Sequence, residues 1–279
     1  MRKLSINLFF ACLVLFITGC TNTAVRHHQD YQEAAKNVGS VVIFPADVEV
    51  ELIVFDGDNE RLTEKEDLIR AELHSIAKTK LEQENLKVIE FNFKQEAEND
   101  ENFAYAVTQV KEAWNLAKQE MYKKGVVSEK NKADFQTNLG SILNFVAEKT
   151  NADSALLIHF NAYEKSDGVI AKDVTTSILV GLLTAGAVVP VQATQGSFID
   201  VALIETTSGK ILWANRRVGA AANSSVADGV LKELPDLVWK TEVPITAEAA
   251  PEQIAVEQTA PENVASELAT SEAGDTSKQ

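Results

Sequence analysis

Residues 198–218 read FIDVALIETTSGKILWANRRV. Two apolar runs rich in β-branched and aromatic side chains flank the polar Thr206-Thr207-Ser208-Gly209, a pattern that predicts two strands joined at a Ser208-Gly209 turn. Upstream, Ala155 to Phe160 (ALLIHF) is an unbroken apolar run of strand length, and so is Ser40 to Phe44 (SVVIF), closed by Pro45. Such runs belong to strands covered on both faces. Val48 to Phe55 (VEVELIVF) alternates at first, as a second, more exposed strand or an extended arm does. Lys87 to Phe93 (KVIEFNF) alternates apolar and polar in the manner of a strand.

Between these runs the period changes. Thr63 and Glu66 form a capping box, and Leu68, Ile69, Leu73, Ile76, Ala77 and Leu81 follow at helical spacing. QEAENDEN, residues 95–102, reads as a loop. After it Phe103, Val107, Val110, Trp114, Ala117 and Met121 recur at steps of three and four, with Gly125 where a helix C-terminus favours glycine. That stripe lasts under three heptads, so it suits core packing better than a coiled coil. Phe135, Leu139, Ile142 and Val146 mark a third helix, and a last one is expected from Val226 to Leu234, stopped by Pro235. Strands alternating with helices and ending in a hairpin define an α/β fold, a mixed β-sheet with helices packed on it, in one domain over residues 39–240.

Both ends differ from this middle. Arg2 and Lys3 precede an apolar run from Leu8 to Ile17, then Thr18, Gly19 and Cys20. The run is short for a bilayer span and reads as a secretory signal over residues 1–19. Residues 20–38 are polar and read as a flexible linker. From Thr241 onward there is no aromatic residue, and eight acids are spaced by Ala, Gln, Thr and Ser with three prolines. A composition of that kind buries too little apolar surface to offset its ordering entropy, so 241–279 reads as a disordered acidic tail. The net charge of −15 becomes −17 without Arg2 and Lys3, and setting aside the −7 of the tail from Thr241 leaves −10 on the folded part with its linker, which disfavours nucleic acid and anionic lipid as partners of that body. Of two cysteines, Cys12 lies in the signal, so a disulfide within the mature fold and CxxC redox chemistry are excluded.

Two resemblances extend this reading. Ile17-Thr18-Gly19-Cys20 resembles the bacterial lipobox, which implies cleavage before Cys20, acylation of its thiol and new amine, and, with Thr21 following, residence at the outer membrane. More than one acyl chain is what a stable anchor needs. SVVIFPADVEV, TNADSALLIHF and FIDVALIETTSGKILWANRRV are similar to the pattern of outer-membrane lipoproteins whose domain is like the N-terminal domain of TolB, a group that includes CsgG, PelC and LpoB lipoproteins. That resemblance, over Ser40 to Val218, implies a periplasm-facing, non-enzymatic accessory in envelope assembly, secretion or transport, with envelope proteins or other copies of itself as partners. The matching residues are structural, so they do not say which machinery is served.

No chemical motif competes with this. There is no GxSxG, P-loop, GxGxxG or HExxH. DGDNE, residues 56–60, has its glycine in the wrong place for a calcium loop and reads as a turn. His27 and His28 lie together in the linker without a third ligand nearby, and His74 falls on the polar side of its helix. His159, in an apolar strand, is the one candidate base, and a wall- or glycan-acting enzyme is the third functional alternative. No metal and no cofactor are expected.

Residues 174–193, VTTSILVGLLTAGAVVPVQA, hold no charge. Their length meets the rule for a membrane span, but Thr175, Thr176, Ser177, Thr184, Gln192, Gly181, Gly186 and Pro190 weaken it. The alternatives are a helix buried on the sheet through Ile178, Leu179, Leu182 and Leu183, or an exposed patch in which the same residues serve docking to a partner or membrane, or self-association in a ring- or pore-forming export component.

Overall fold

The computed structural model describes residues 22–54, 57–172 and 193–234, all within one compact unit. Its strands are β1 (Asn22–Thr23), β2 (Arg26–His27), β3 (Ser40–Ile43), β4 (Asp47–Ile53), β5 (Glu60–Arg61), β6 (Lys87–Ile89), β7 (Val127–Ser128), β8 (Ser154–Lys165), β9 (Gln195–Glu205) and β10 (Ile211–Gly219). Its helices are α1 (Tyr31–Ala34), α2 (Thr63–Gln83), α3 (Phe93–Asn99), α4 (Glu101–Met121), α5 (Asn144–Thr150), α6 (Asp167–Lys172) and α7 (Val226–Leu231).

The sheet is mixed, in the order β2-β10-β9-β8-β3-β6. The central strand β8 pairs antiparallel with β9 along one side, from Ser154↔Glu205 to Glu164↔Gln195. Its other side is shared by two parallel strands, β3 against residues 154–156 and β4 against 159–165. Pro45 sits at the join. It offers no N–H to a ladder, so the pairing lapses there after Phe44 N donates to Leu156 O at 2.9 Å. β9 and β10 form the hairpin read from the sequence, turned through Gly209 at φ +72.

Strand alternation sends side chains to two cores. Leu156, Ile158, Phe160, Ile199, Val201 and Leu203 face α2 and α7, where Ile69, Leu73, Ala77 and Leu81 repeat every fourth residue and are all nearly inaccessible. Burial of each such Leu or Ile is worth about 1.5–3 kcal/mol. Ala155, Leu157, Ala202 and Ile204 face the opposite way, against Val110, Trp114 and Met121 of α4 and Val146 of α5. At the β6 end of this second core Phe44, Phe91, Phe93 and Phe103 cluster, with centroids 4.6–5.9 Å apart.

Several local expectations are corrected. Residues 22–38 are not a solvated linker: β2 pairs with Trp213 and Ala214 of β10, and Arg26, His27 and His28 are buried. Their composition is polar, but the partners that bury them lie far along the chain, at Met121, Gly125 and Trp213. The capping box is absent. α2 begins at Thr63 behind Leu62 without a side-chain cap, and the Glu66 carboxylate instead accepts from Val50 N at 3.1 Å and from both Nε and Nη2 of Arg61 at 2.9 Å. KVIEFNF is a strand only to Ile89. Asn92 then caps α3, so most of the expected loop is helical, and Asp100 caps α4 by accepting from Asn102 N and Phe103 N. In the expected third helix, Phe135 forms a bridge with His28. Gly140, at φ +72, separates Phe135 and Leu139 from the helical residues 140–150.

The signal, Cys20, the segment 174–192 with Ile178, Leu179, Leu182 and Leu183, and the tail 241–279 lie outside the described residues. Among the described residues no helix is long and apolar enough to cross a membrane.

Candidate functional site

Sheet register brings four charged or ionisable residues into one row. Asp47 of β4 stands opposite His159 of β8, His159 opposite Asp200 of β9, and Asp200 opposite Arg216 of β10. On β9 the alternation that places Ala202 and Ile204 under α4 puts Asp200 on the same face. The helix supplies the fifth member: Lys118 lies beside the apolar stripe of α4 and is buried, with Nζ 3.7 Å from Asp200 Oδ2.

The row has a strongly and a weakly tied half. Arg216 grips Asp200 through two hydrogen bonds, Nε to Oδ1 at 2.9 Å and Nη2 to Oδ2 at 3.2 Å, the fork geometry that suits guanidinium and carboxylate. Its guanidinium also lies 3.7 Å from the centroid of the Tyr122 ring and 4.9 Å from that of Phe198. Arg26 approaches the same Tyr122 ring at 4.7 Å. Burial pushes the Tyr122 phenol well above its ordinary value and lowers Lys118, while Asp200 opposes the latter shift. Tyr122 Oη has no hydrogen-bond partner among the described residues. In the other half, His159 Nδ1 lies 3.1 Å from Asp47 Oδ2, and this hydrogen bond holds the Asp47 carboxyl below its usual range. His159 Nε2 lies 2.9 Å from the side-chain amide of Asn161.

A cavity of about 510 Å³ opens between α4 and the β9–β10 hairpin, lined by Asn115, Lys118, Gln119, Tyr122, Lys123, Phe198, Asp200 and Arg216. Cationic donors beside aromatic faces suit carboxylate- or carbonyl-bearing groups. Acid–base chemistry has less support in this geometry. Both nitrogens of His159, the candidate base, are engaged by Asp47 and Asn161, so neither points at an unoccupied position for a reacting proton.

The remaining histidines fall elsewhere. His74 is half-exposed on α2, 3.9 Å from Glu90, and borders a second groove of about 760 Å³ with Pro45, Arg70 and Phe91. His27 and His28 are buried beside β10, and burial lowers the pKa of both, that of His27 from 6.5 to about 4. Among the described residues no group of three or more His, Cys, Asp or Glu is placed to hold a metal. Sequence reading singled out only His159 of the row. The available signals were Asp200 inside the apolar run IDVALI and Lys118 against the apolar stripe of α4.

No family model matches the chain, and no curated protein matches it. Among solved structures, the PelC dodecamer from Paraburkholderia phytofirmans is similar with a TM-score of 0.30 and 13% identity, over 80% of this chain and 100% of that one. A point variant of the same dodecamer gives a TM-score of 0.29 and 13% identity, over 79% and 100%.

Proposed function

We propose that this chain is a lipid-anchored accessory protein of the bacterial outer membrane, facing the periplasm and acting through protein contacts in envelope assembly, secretion or transport, without catalysis of its own. The observation that carries this reading is the N-terminal order of charged start, short apolar run and Ile17-Thr18-Gly19-Cys20. Acyl chains on Cys20 would supply the membrane affinity that a single chain does not. Two features support a non-catalytic role: His159 is tied on both nitrogens, and the charged row is largely paired with itself. The test is fractionation of Cys20→Ala beside the parent, with metabolic labelling by an alkyne fatty acid. The parent is expected in the membrane fraction and labelled, the variant soluble, unlabelled and folded but without function. A soluble variant that still functions overturns the anchored role.

A second reading, a ring- or pore-forming export component, is favoured by the absence of charge from residues 174–193. It expects Leu182→Glu to break assembly while sparing the fold, read as molar mass by light scattering in mild detergent. Unchanged mass removes it.

A further inference from the structure

The stretch between Cys20 and the fold is very short. β1 pairs with β7 from its first residue, Asn22 opposite Ser128 and Thr23 opposite Val127. Three residues later Arg26 is 1% exposed and donates to Thr23 O at 3.1 Å, to Met121 O at 3.4 Å and to Gly125 O. From residue 22 onward, therefore, the chain is bound into the domain. Only Thr21 separates Asn22 from Cys20, and the two residue steps between them reach at most about 7 Å.

The surface beside this point departs from the acidic character of the chain. Residues 123–132, KKGVVSEKNK, carry four lysines against Glu129 alone. Glu129 pairs with Lys132 at 2.7 Å, while Lys123, Lys124 and Lys130 are exposed and have no ion pair among the described residues. Val126, 54% exposed, stands between them. The ladder also has a direction. Because β1 and β7 are antiparallel, the end of β1 nearer Cys20 points towards Glu129 and Lys130.

We infer that residues 123–132 form a membrane-docking face that rests on the phosphate-bearing headgroups around the anchor, an inference that builds on acylation of Cys20. The net charge of −17 without Arg2 and Lys3 disfavours anionic lipid for the chain as a whole, but it reaches this face only from within a screening length. Charges beyond a Debye length of about 8–10 Å are largely screened, whereas a tether of about 7 Å holds this basic face inside that distance. Lysines near an anionic leaflet are attracted to it, and an exposed valine enters the interface without stranding a polar group.

The experiment uses the full acylated protein, with its acyl mass verified by mass spectrometry, in vesicles of phosphatidylethanolamine and phosphatidylglycerol doped with a headgroup-nitroxide lipid. The acylated mature chain has no free thiol, so Val126→Cys and, as a reference on the opposite face of the sheet, Leu68→Cys each take a single fluorophore. The label at 126 is expected to be quenched about twofold or more beyond that at 68, with the excess shrinking in Lys123→Glu/Lys124→Glu/Lys130→Glu. A flexible Gly-Ser spacer inserted after Thr21 is expected to reduce it in phosphatidylcholine vesicles, where only tether length holds the face down. Equal quenching at the two positions in verified acylated protein overturns the docking face alone. Absence of the acyl mass overturns the anchored reading and this inference with it.

Discussion

Asp200 and Arg216 stand directly opposite one another on β9 and β10, the guanidinium holding both carboxylate oxygens while Lys118 approaches from α4. Removing the anion leaves two largely buried cations without it. Asp200→Leu is expected to cost about 3–5 kcal/mol in urea unfolding, and Lys118→Met/Asp200→Leu/Arg216→Met to recover most of it, because replacing a buried ion group whole is far cheaper than breaking it. A single variant as stable as the parent would show that the row is not structural.

His27 sets a pH dependence. Burial lowers its pKa from 6.5 to about 4, so between those values the unfolded chain takes up a proton that the folded one resists. Stability is therefore full above about pH 6.5 and falls as pH drops towards 4, by at most about 3 kcal/mol from this residue. His28, also lowered by burial, adds in the same direction. His27→Gln is expected to flatten the plot of urea midpoint against pH in that window; an unchanged slope would remove His27 as its source.

Arg26 joins the N-terminal strand to the end of α4. Its substitution by Met strips hydrogen bonds from the Met121, Gly125 and Thr23 carbonyls, with an expected loss of about 2–4 kcal/mol. Lys at this position is not expected to rescue, since one ammonium cannot reproduce the guanidinium fork or its stacking on Tyr122 and Phe135. Hydrogen exchange should accelerate at residues 22–28 and 121–128 and stay slow in β8. Uniform acceleration would mean that the clamp is not local.

Two glycines at similar φ separate strain from crowding. A Cβ on Gly209, φ +72, would lie 2.1 Å from Gly140 O, whereas one on Gly125, φ +67, would meet nothing within 4 Å. Gly125→Ala is expected to cost about 1 kcal/mol, the backbone penalty alone, and Gly209→Ala more than about 2 kcal/mol. Equal losses would show that the approach of residue 140 to the hairpin is unimportant.

The strands and the two long helices were legible because their information is local: β-branched runs at 40–44, 155–160 and 198–218, and the stripes of α2 and α4. The charged row was not. Asp47, His159, Asp200 and Arg216 become neighbours only once three strand registers are fixed, and a slip of one residue in any of them would send that side chain to the other face. The N-terminal segment is illegible in sequence for the same reason. Arg26 looks like a solvent residue in sequence, and only distant backbone carbonyls and the Tyr122 and Phe135 rings make its burial tolerable.

The way the sheet is finished limits how copies of this protein could combine. Its borders are short strands: β6 of three residues, β5 of two beside β4, and β2 of two beside β10, whose outer N–H and C=O groups near residues 209–214 are also met by the chain at 28 and at 137–139. Beyond them Arg216 and Arg217 occupy the open end of β10. Long unpaired borders recruit foreign strands, and short, covered or charged ones do not. Any assembly through the described residues would therefore be built by side chains meeting across helices and loops, and each subunit could leave it with its hydrogen-bond ladder intact.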